Sequence, residues 1–360
     1  MNVLLMTDKL ITGGAEYYFC KLENQLKHPK LVFYTAAGDG ELYEKINNKE
    51  HFIRMSRSNH AVNLSIIKRT VLEHDIDLIH ANSLRMVLYA TAIQKLIKKR
   101  LKIVYTKHNV TMIEKEFRSV FVALLNRHVT RIIAVSGDEQ ENLFQLGIQP
   151  SKVTTIYNGV DLHQFMYHEK EKAESFKVGI LARLSPEKNH ELFLEIARKL
   201  KYDKQIQFYI GGDGPEYSKI RQMIEEFGLN RNVHMMGEVK EPQSFIKEMN
   251  VLVLTSHREV FPMVILEAMA VGTPIISVNT GGIKEAIISE KLGCLVSDYS
   301  AESFCNHITL MKNNQHLRTE IAKYARDWVQ KNFSLEKMIN ATMQEYLDCQ
   351  NVLYKEQNII

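Results

Sequence analysis

Cysteine is scarce in this chain. The four residues in 360, Cys20, Cys294, Cys305 and Cys349, lie far apart and form no CxxC pair, which excludes a disulfide framework and a zinc ribbon and fits a reducing compartment. Proline and glycine are also few, at 7 and 17, and with 45% hydrophobic residues that composition excludes a disordered chain. Long apolar runs are missing. The opening segment MNVLLMTDKL holds a short run that Thr7, Asp8 and Lys9 interrupt, too short for a secretory signal. Nothing elsewhere approaches the roughly 18 apolar residues of a membrane-spanning helix. The expected location is therefore the cytoplasm. At about 150 residues per domain the length predicts two domains, each large enough for its own core.

Acid is missing from one long stretch. Residues 78–113 contain no Asp or Glu, whereas Arg85, Lys95, Lys98, Lys99, Arg100, Lys102 and Lys107 are interleaved with Ile93, Leu96, Ile97 and Leu101. Of a total net charge of +4, residues 1–175 carry +5 and the rest −1. The pattern suits an anionic surface and no nucleic-acid partner is expected. It predicts either an ordinary solvated helix face or a basic, partly apolar face that meets anionic lipid or a lipid-diphosphate acceptor, at about 1 kcal/mol per well-placed cation. Attachment would be peripheral, at the inner face of the cell membrane.

What is present is a rhythm. NVLLM, KLVFYT, DLIHA, KIVYT and RIIAVS alternate with helix-length segments, the βαβ pattern of a parallel sheet covered on both faces. The rhythm pauses between Asn158 and Phe176, at NGVD and the polar HEKEKAES, which reads as a linker. It resumes with FKVGILAR, QIQFYIGG, NVHMMG, VLVLTS and PIISVN, and ends in SLEKMINATMQEYLDCQ, one amphipathic helix. The fold class is α/β, two doubly wound domains whose strand ends border one cleft.

Ligand-binding residues in such sheets follow the strands, so the loops carry the functional signal. Gly13 and Gly14 open the first helix, either as a plain tight strand-to-helix turn or as free amides placed for a phosphate or sugar oxygen; the G-x-G-x-x-G dinucleotide spacing is absent. Arg183 and Lys188 place two cations before a helix from about Asn189 to Leu200, a pattern that suits a diphosphate. Gly211, Gly212 and Gly214 permit close backbone approach, with Pro215 at a first helical position, and the backbone of Met236 to Val239 could line a flat base pocket. In the segment from Ser256 to Pro274, Pro262 reads as the first residue of a short apolar helix stopped by Gly272. The amides of Met263 and Val264 then point outward, Glu259 lies on the preceding loop, and Glu267 lies about 1.4 turns inside. A carboxylate in an apolar helix needs a polar partner such as a ribose diol. The Gly281-Gly282 turn converges on the same place.

Together ARLSPEKN, IGGDGP, the E-x7-E segment EVFPMVILE continuing into EAMAVGTPI, and TGG resemble the retaining GT-B glycosyltransferases of family 4. NGVD, TGGAE and DLIHANS extend the resemblance over nearly the whole chain. It implies an acceptor-side domain at 1–170, a nucleotide-sugar-binding domain at 171–330, and a helix at 331–360 that packs back on the first domain. It further implies that Arg183 and Lys188 hold the donor diphosphate, Glu259 touches the transferred sugar, and Glu267 the ribose. His108 in YTKHN matches the family histidine that meets the donor sugar. The donor is a substrate, so neither cofactor nor metal is implied; Asp75-Ile76-Asp77 leads into a strand and is not a metal-binding DxD. By the same resemblance UDP-sugars are the favoured donors, and cell-surface polysaccharide, lipid-linked oligosaccharide or glycolipid precursors the acceptors. Two positions depart from the family pattern, Val260 where Gly or Ser is usual and Ala182 where Gly is common. The rival readings are a nucleotide-sugar epimerase of the same fold and a non-catalytic partner subunit.

Overall fold

Two parallel sheets organise the chain in a computed structural model that describes residues 1–97, 99, 101–170 and 175–357, the last seven as backbone alone. The first sheet holds β1 (Asn2–Lys9), β2 (Val32–Gly38), β3 (Phe52–Met55), β4 (Leu78–Ala81), β5 (Lys102–Lys107), β6 (Arg131–Ala134) and β7 (Val153–Thr155). Its order is β3-β2-β1-β4-β5-β6-β7. Leu5 on β1 sits between Thr35 on β2 and His80 on β4, which sets the register at the centre. Val3, Leu4, Leu5 and Met6 are fully buried, because helices cover both faces and an apolar run is needed on each.

The second sheet holds β8 (Phe176–Leu181), β9 (Ile206–Gly211), β10 (Val233–Gly237), β11 (Val251–Leu254), β12 (Ile275–Val278) and β13 (Cys294–Val296), in the order β10-β9-β8-β11-β12-β13. In each sheet the order reverses at one place, between β1 and β4 and between β8 and β11. Crevices for ligands open at such switch points, beyond the carboxyl ends of the strands.

The compact units are Met1–Asn158 with Glu336–Ile360, and Gly159–Leu335. The breaks expected at 170 and 330 therefore move to 158 and 335. The reason is that residues 159–170 are tied into the second unit: His168 N donates to Val271 O at 2.9 Å, and Arg326 Nη1 donates to Phe165 O at 3.0 Å. Glu171, Lys172, Ala173 and Glu174 of the expected linker lie outside the described residues. Val160 forms a parallel bridge with Ser334, so the segments entering and leaving the second unit run side by side. The final helix, Leu335–Gln357, belongs from Glu336 onward to the first unit and buries Thr342 and Tyr346 there.

The acid-free stretch 78–113 does not make an acid-free face. Arg85 pairs with Asp8 at 2.8 Å, Lys99 with Asp75 at 2.5 Å, and Lys107 with Glu139 and Glu114 at 2.5 and 3.0 Å. The fold brings carboxylates from outside the stretch, Asp8 on β1, Asp75 before β4 and Glu139 on the helix Gly137–Leu146, together with Glu114 just past its end, against these cations. Lys98 and Arg100 lie outside the described residues. Among the described residues no helix is long and apolar enough to cross a membrane.

Candidate active site

In the first unit the candidate residues gather beyond β1, β4 and β5. Gly13 is extended and caps the helix Gly14–Gln25, and nothing approaches within 4 Å of the Cβ position of Gly14, so that face is open. Asn82, just past β4, donates from Nδ2 to Ala15 O at 3.0 Å, which turns its Oδ1 toward His108 Nε2 at 2.9 Å. Since Oδ1 only accepts, the His108 proton sits on Nε2 and Nδ1 keeps its lone pair. Desolvation pushes His108 down to about 3, so the ring is neutral at pH 7. Tyr18 packs edge-on against it, ring centres 4.5 Å apart. The Gly13-Gly14 turn and His108 are thereby brought together, with Asn82 as the link.

In the second unit the loops after β8, β9 and β10 interlock through their backbones. Ala182 N donates to Gly211 O at 3.0 Å, Leu184 N to Asp213 O at 3.0 Å, and Gly212 N to Gly237 O at 2.8 Å. Gly212 has φ +137°, and a Cβ there would lie 2.0 Å from Ala182 O. Its glycine is thus required by the neighbouring loop, where the sequence suggested approach to a ligand. Val239 is half-buried over Gly211. Pro215 stands two residues before the helix Tyr217–Glu226, outside its first turn, because Glu216 N turns back to Leu184 O at 3.0 Å.

Lys188 and Glu259, read separately from the sequence as contacts for diphosphate and sugar, meet directly. Lys188 Nζ lies 2.6 Å from Glu259 Oε1, and Ser256 Oγ donates to the same oxygen at 2.7 Å. Lys188 ends a single 3-10 turn, Pro186–Lys188, held onto the β11 loop by Thr255 Oγ1 donating to Lys188 O at 3.0 Å. Gly281, with φ +54°, presses on this loop so closely that a Cβ would come within 1.7 Å of Glu259 O, and Gly282 N donates to Val260 O at 3.2 Å. Arg183 is exposed and makes no ion pair among the described residues.

The helix Met263–Val271 starts one residue later than expected, with Pro262 extended at ψ 126° as its cap, and Gly272 closes it at φ +87°. Pro262 offers no side-chain cap, so the first amides of the helix stay available. Met263, Val264 and Glu267 share one face by i, i+3 and i, i+4 spacing and are half-buried, whereas the rest of the helix is buried. Arg326 Nη1 donates to Ala270 O at 2.8 Å, a cation on the negative end of this helix.

Residues 12–164 match Glycosyltransferase Family 4, and residues 165–328 match Glycosyl transferases group 1. The chain belongs to the family 4 glycosyltransferases. The glycosyltransferase is 30% identical over 211 residues to the poly(ribitol-phosphate) alpha-N-acetylglucosaminyltransferase of Staphylococcus aureus, a match spanning 58% of this chain and 42% of that enzyme. It is 26% identical over 258 residues to the UDP-Gal:alpha-D-GlcNAc-diphosphoundecaprenol alpha-1,3-galactosyltransferase of Escherichia coli, 68% of this chain and 66% of that one. Anabaena HepE, in a crystal structure with UDP-glucose, shares the GT-B fold at a TM-score of 0.83 and 20% identity, over 97% of this chain and all of HepE.

For this glycosyltransferase the chemistry of the second unit is legible. An ammonium has three N–H donors, so Lys188 can hold Glu259 and still donate to phosphate oxygens. Glu259 Oε2 takes no hydrogen bond among the described residues and is free to accept from a sugar hydroxyl. Reading the sequence missed Asn82, Tyr18, Ser256 and Arg326. Asn82 lies within the quoted DLIHANS, and its place just beyond a central strand was the signal that could have found it.

Proposed function

We propose that this glycosyltransferase moves a sugar from a UDP-sugar to a cell-surface polysaccharide, lipid-linked oligosaccharide or glycolipid acceptor, with retention of configuration and without a metal. The observation that carries the reading is the Lys188–Glu259 pair beside an uncapped helix N-terminus. HepE with bound UDP-glucose and the UDP-Gal donor in the E. coli enzyme's name support UDP as the carrier. The two relatives' names carry phosphate-bearing acceptors, a poly(ribitol-phosphate) and a diphosphoundecaprenol.

The bond between the anomeric carbon and the diphosphate breaks while Lys188, Arg183 and the Met263 and Val264 amides stabilise the charge on the leaving oxygen. That oxygen takes the acceptor's proton as the new bond to the acceptor oxygen forms on the same face. Glu259 and His108 Nδ1 accept hydroxyls of the transferred sugar, and Glu267 those of the ribose. Peripheral attachment to the membrane is supported by exposed Met112, Phe117 and Val120 in a segment that also exposes Lys115, Glu116 and Arg127. Co-sedimentation with anionic vesicles at low and high salt reads it, and absence from the pellet in both ends it.

The decisive experiment is thermal stabilisation of the purified protein by a panel of nucleoside diphosphates and their sugars, followed by transfer with and without EDTA. UDP and one UDP-sugar raise Tm, EDTA leaves turnover unchanged, and the product keeps the donor's anomeric configuration. Stabilisation by none of the panel overturns the reading, and donor isomerised without acceptor installs the epimerase in its place.

A further inference from the structure

β4 and β5 continue past their ends with polar residues two apart and therefore on one face: His80 and Asn82 on one strand, Thr106 and His108 on the other. They are bonded in two rungs. The upper rung joins His108 Nε2 to Asn82 Oδ1 at 2.9 Å; the lower joins His80 Nε2 to Thr106 Oγ1 at 2.7 Å. The lower rung is fully enclosed, with His80 1% exposed, and it is closed by a third group from far along the chain. The hydroxyl of Tyr346, on the C-terminal helix, hydrogen-bonds His80 Nδ1. The Thr106 and Thr342 hydroxyls lie near the Tyr18 hydroxyl, which makes no hydrogen bond among the described residues, and the Tyr18 ring packs on His108.

A satisfied polar triad in a sheet core adds little stability over apolar side chains of the same shape. What it adds is direction, because only one orientation of the His80 ring serves both of its nitrogens. We propose that Tyr346, His80 and Thr106 are positioning residues for His108, so that the C-terminal helix sets the aim of the histidine in the first unit. The proposal rests on the reading that His108 meets the transferred sugar.

The test uses the full-length chain with Thr106→Val, Thr106→Ser and Tyr346→Phe, reading turnover, UDP affinity and the ring-nitrogen resonances of His108. Thr106→Val and Tyr346→Phe keep volume and lose a hydroxyl, and each lowers kcat roughly tenfold while UDP affinity stays within about twofold, since misaiming a contact group costs rate. Thr106→Ser restores the hydroxyl and the rate. In the wild-type spectrum His108 carries its proton on Nε2, and in the two hydroxyl-lacking variants its resonances shift or broaden. Unchanged kcat, a Thr106→Ser variant as slow as Thr106→Val, or loss of rate with His108 resonances unmoved each overturns the proposal. Should the chain transfer no sugar at all, the functional reading fails, and the resonances still decide whether the triad controls His108. If Thr106→Val fails to fold, Tyr346→Phe carries the same decision.

Discussion

Lys188 and Glu259 share one contact, and this changes what each substitution does. On the proposed roles, Lys188→Ala removes a donor to the diphosphate and also strips Glu259 of its cation, so transfer falls roughly 100-fold or more. Glu259→Ala frees the ammonium, so affinity for free UDP holds or rises while transfer collapses. Glu267→Ala, on the half-buried helix face, weakens free UDP by about 1.5 to 3 kcal/mol, as for a hydrogen bond to a charged group. Calorimetric titration of the two glutamate variants with UDP separates the roles; equal losses would show that the assignment is wrong. Glu259 and Glu267 stood out in the sequence because their spacing resembles a family pattern. That Glu259 pairs with Lys188 was not legible, since the two lie 71 residues apart and meet only when the β8 and β11 loops become neighbours.

On the scale of elements, strand alternation assigns β5 two tasks. Thr106 and His108 face one side, while Lys107 between them points to the other and is buried with Glu114 and Glu139. Asn142 Nδ2 bonds both carboxylates, and Thr111 with Glu114 forms a capping box on the next helix, so the loop carrying His108 is anchored from behind. Lys107→Met leaves two buried carboxylates without their cation and lowers stability by about 3 to 5 kcal/mol. Urea unfolding measures this, and a loss under about 1 kcal/mol would refute the anchoring role. The strands themselves were readable from their β-branched runs, and so was the C-terminal helix from its periodicity. Helix starts were less so: Pro262 is the extended cap of its helix, which suits proline as well as the first helical residue does, and Pro215 lies one residue before the cap Glu216. The triad of His80, Thr106 and Tyr346 was invisible, with partners 26 and 266 residues apart and no local pattern to mark them.

For the whole molecule, acid is the weak direction. Burial pushes His80 to about 3, and burial with Lys188 nearby pushes His190 to about 4, both below the usual histidine range near 6.5. A depressed histidine is neutral when folded and protonated when unfolded across that window. Stability is therefore full above about pH 6.5 and falls as pH drops toward 4, by about 1.4 kcal/mol per pH unit for each such histidine. His190 is 0% exposed and neither ring nitrogen has a hydrogen-bond partner among the described residues. His190→Leu is then at least as stable at pH 7, and its stability declines less steeply between pH 6 and 4.5 by about one proton. Chemical denaturation at a series of pH values gives both slopes, and identical slopes would remove His190 from the account. The division into two α/β units was plain from the rhythm of the chain. Its boundaries were not, because the polar segment after Asn158 reads as a connector by composition while hydrogen bonds tie residues up to 170 to the second unit.

The side-by-side passage of Val160 and Ser334 has a consequence in time. The second unit is a parenthesis in the first: the chain leaves after Asn158 and returns at Glu336. On the ribosome β1 to β7 emerge early, yet Tyr346 arrives only after the whole of Gly159–Leu335, roughly ten to thirty-five seconds later at ordinary elongation rates. Throughout that interval His80 Nδ1 is without its Tyr346 partner. The first unit thus begins to be made before the second, and the hydroxyl that closes the His80 rung joins it only after the second unit has been synthesised.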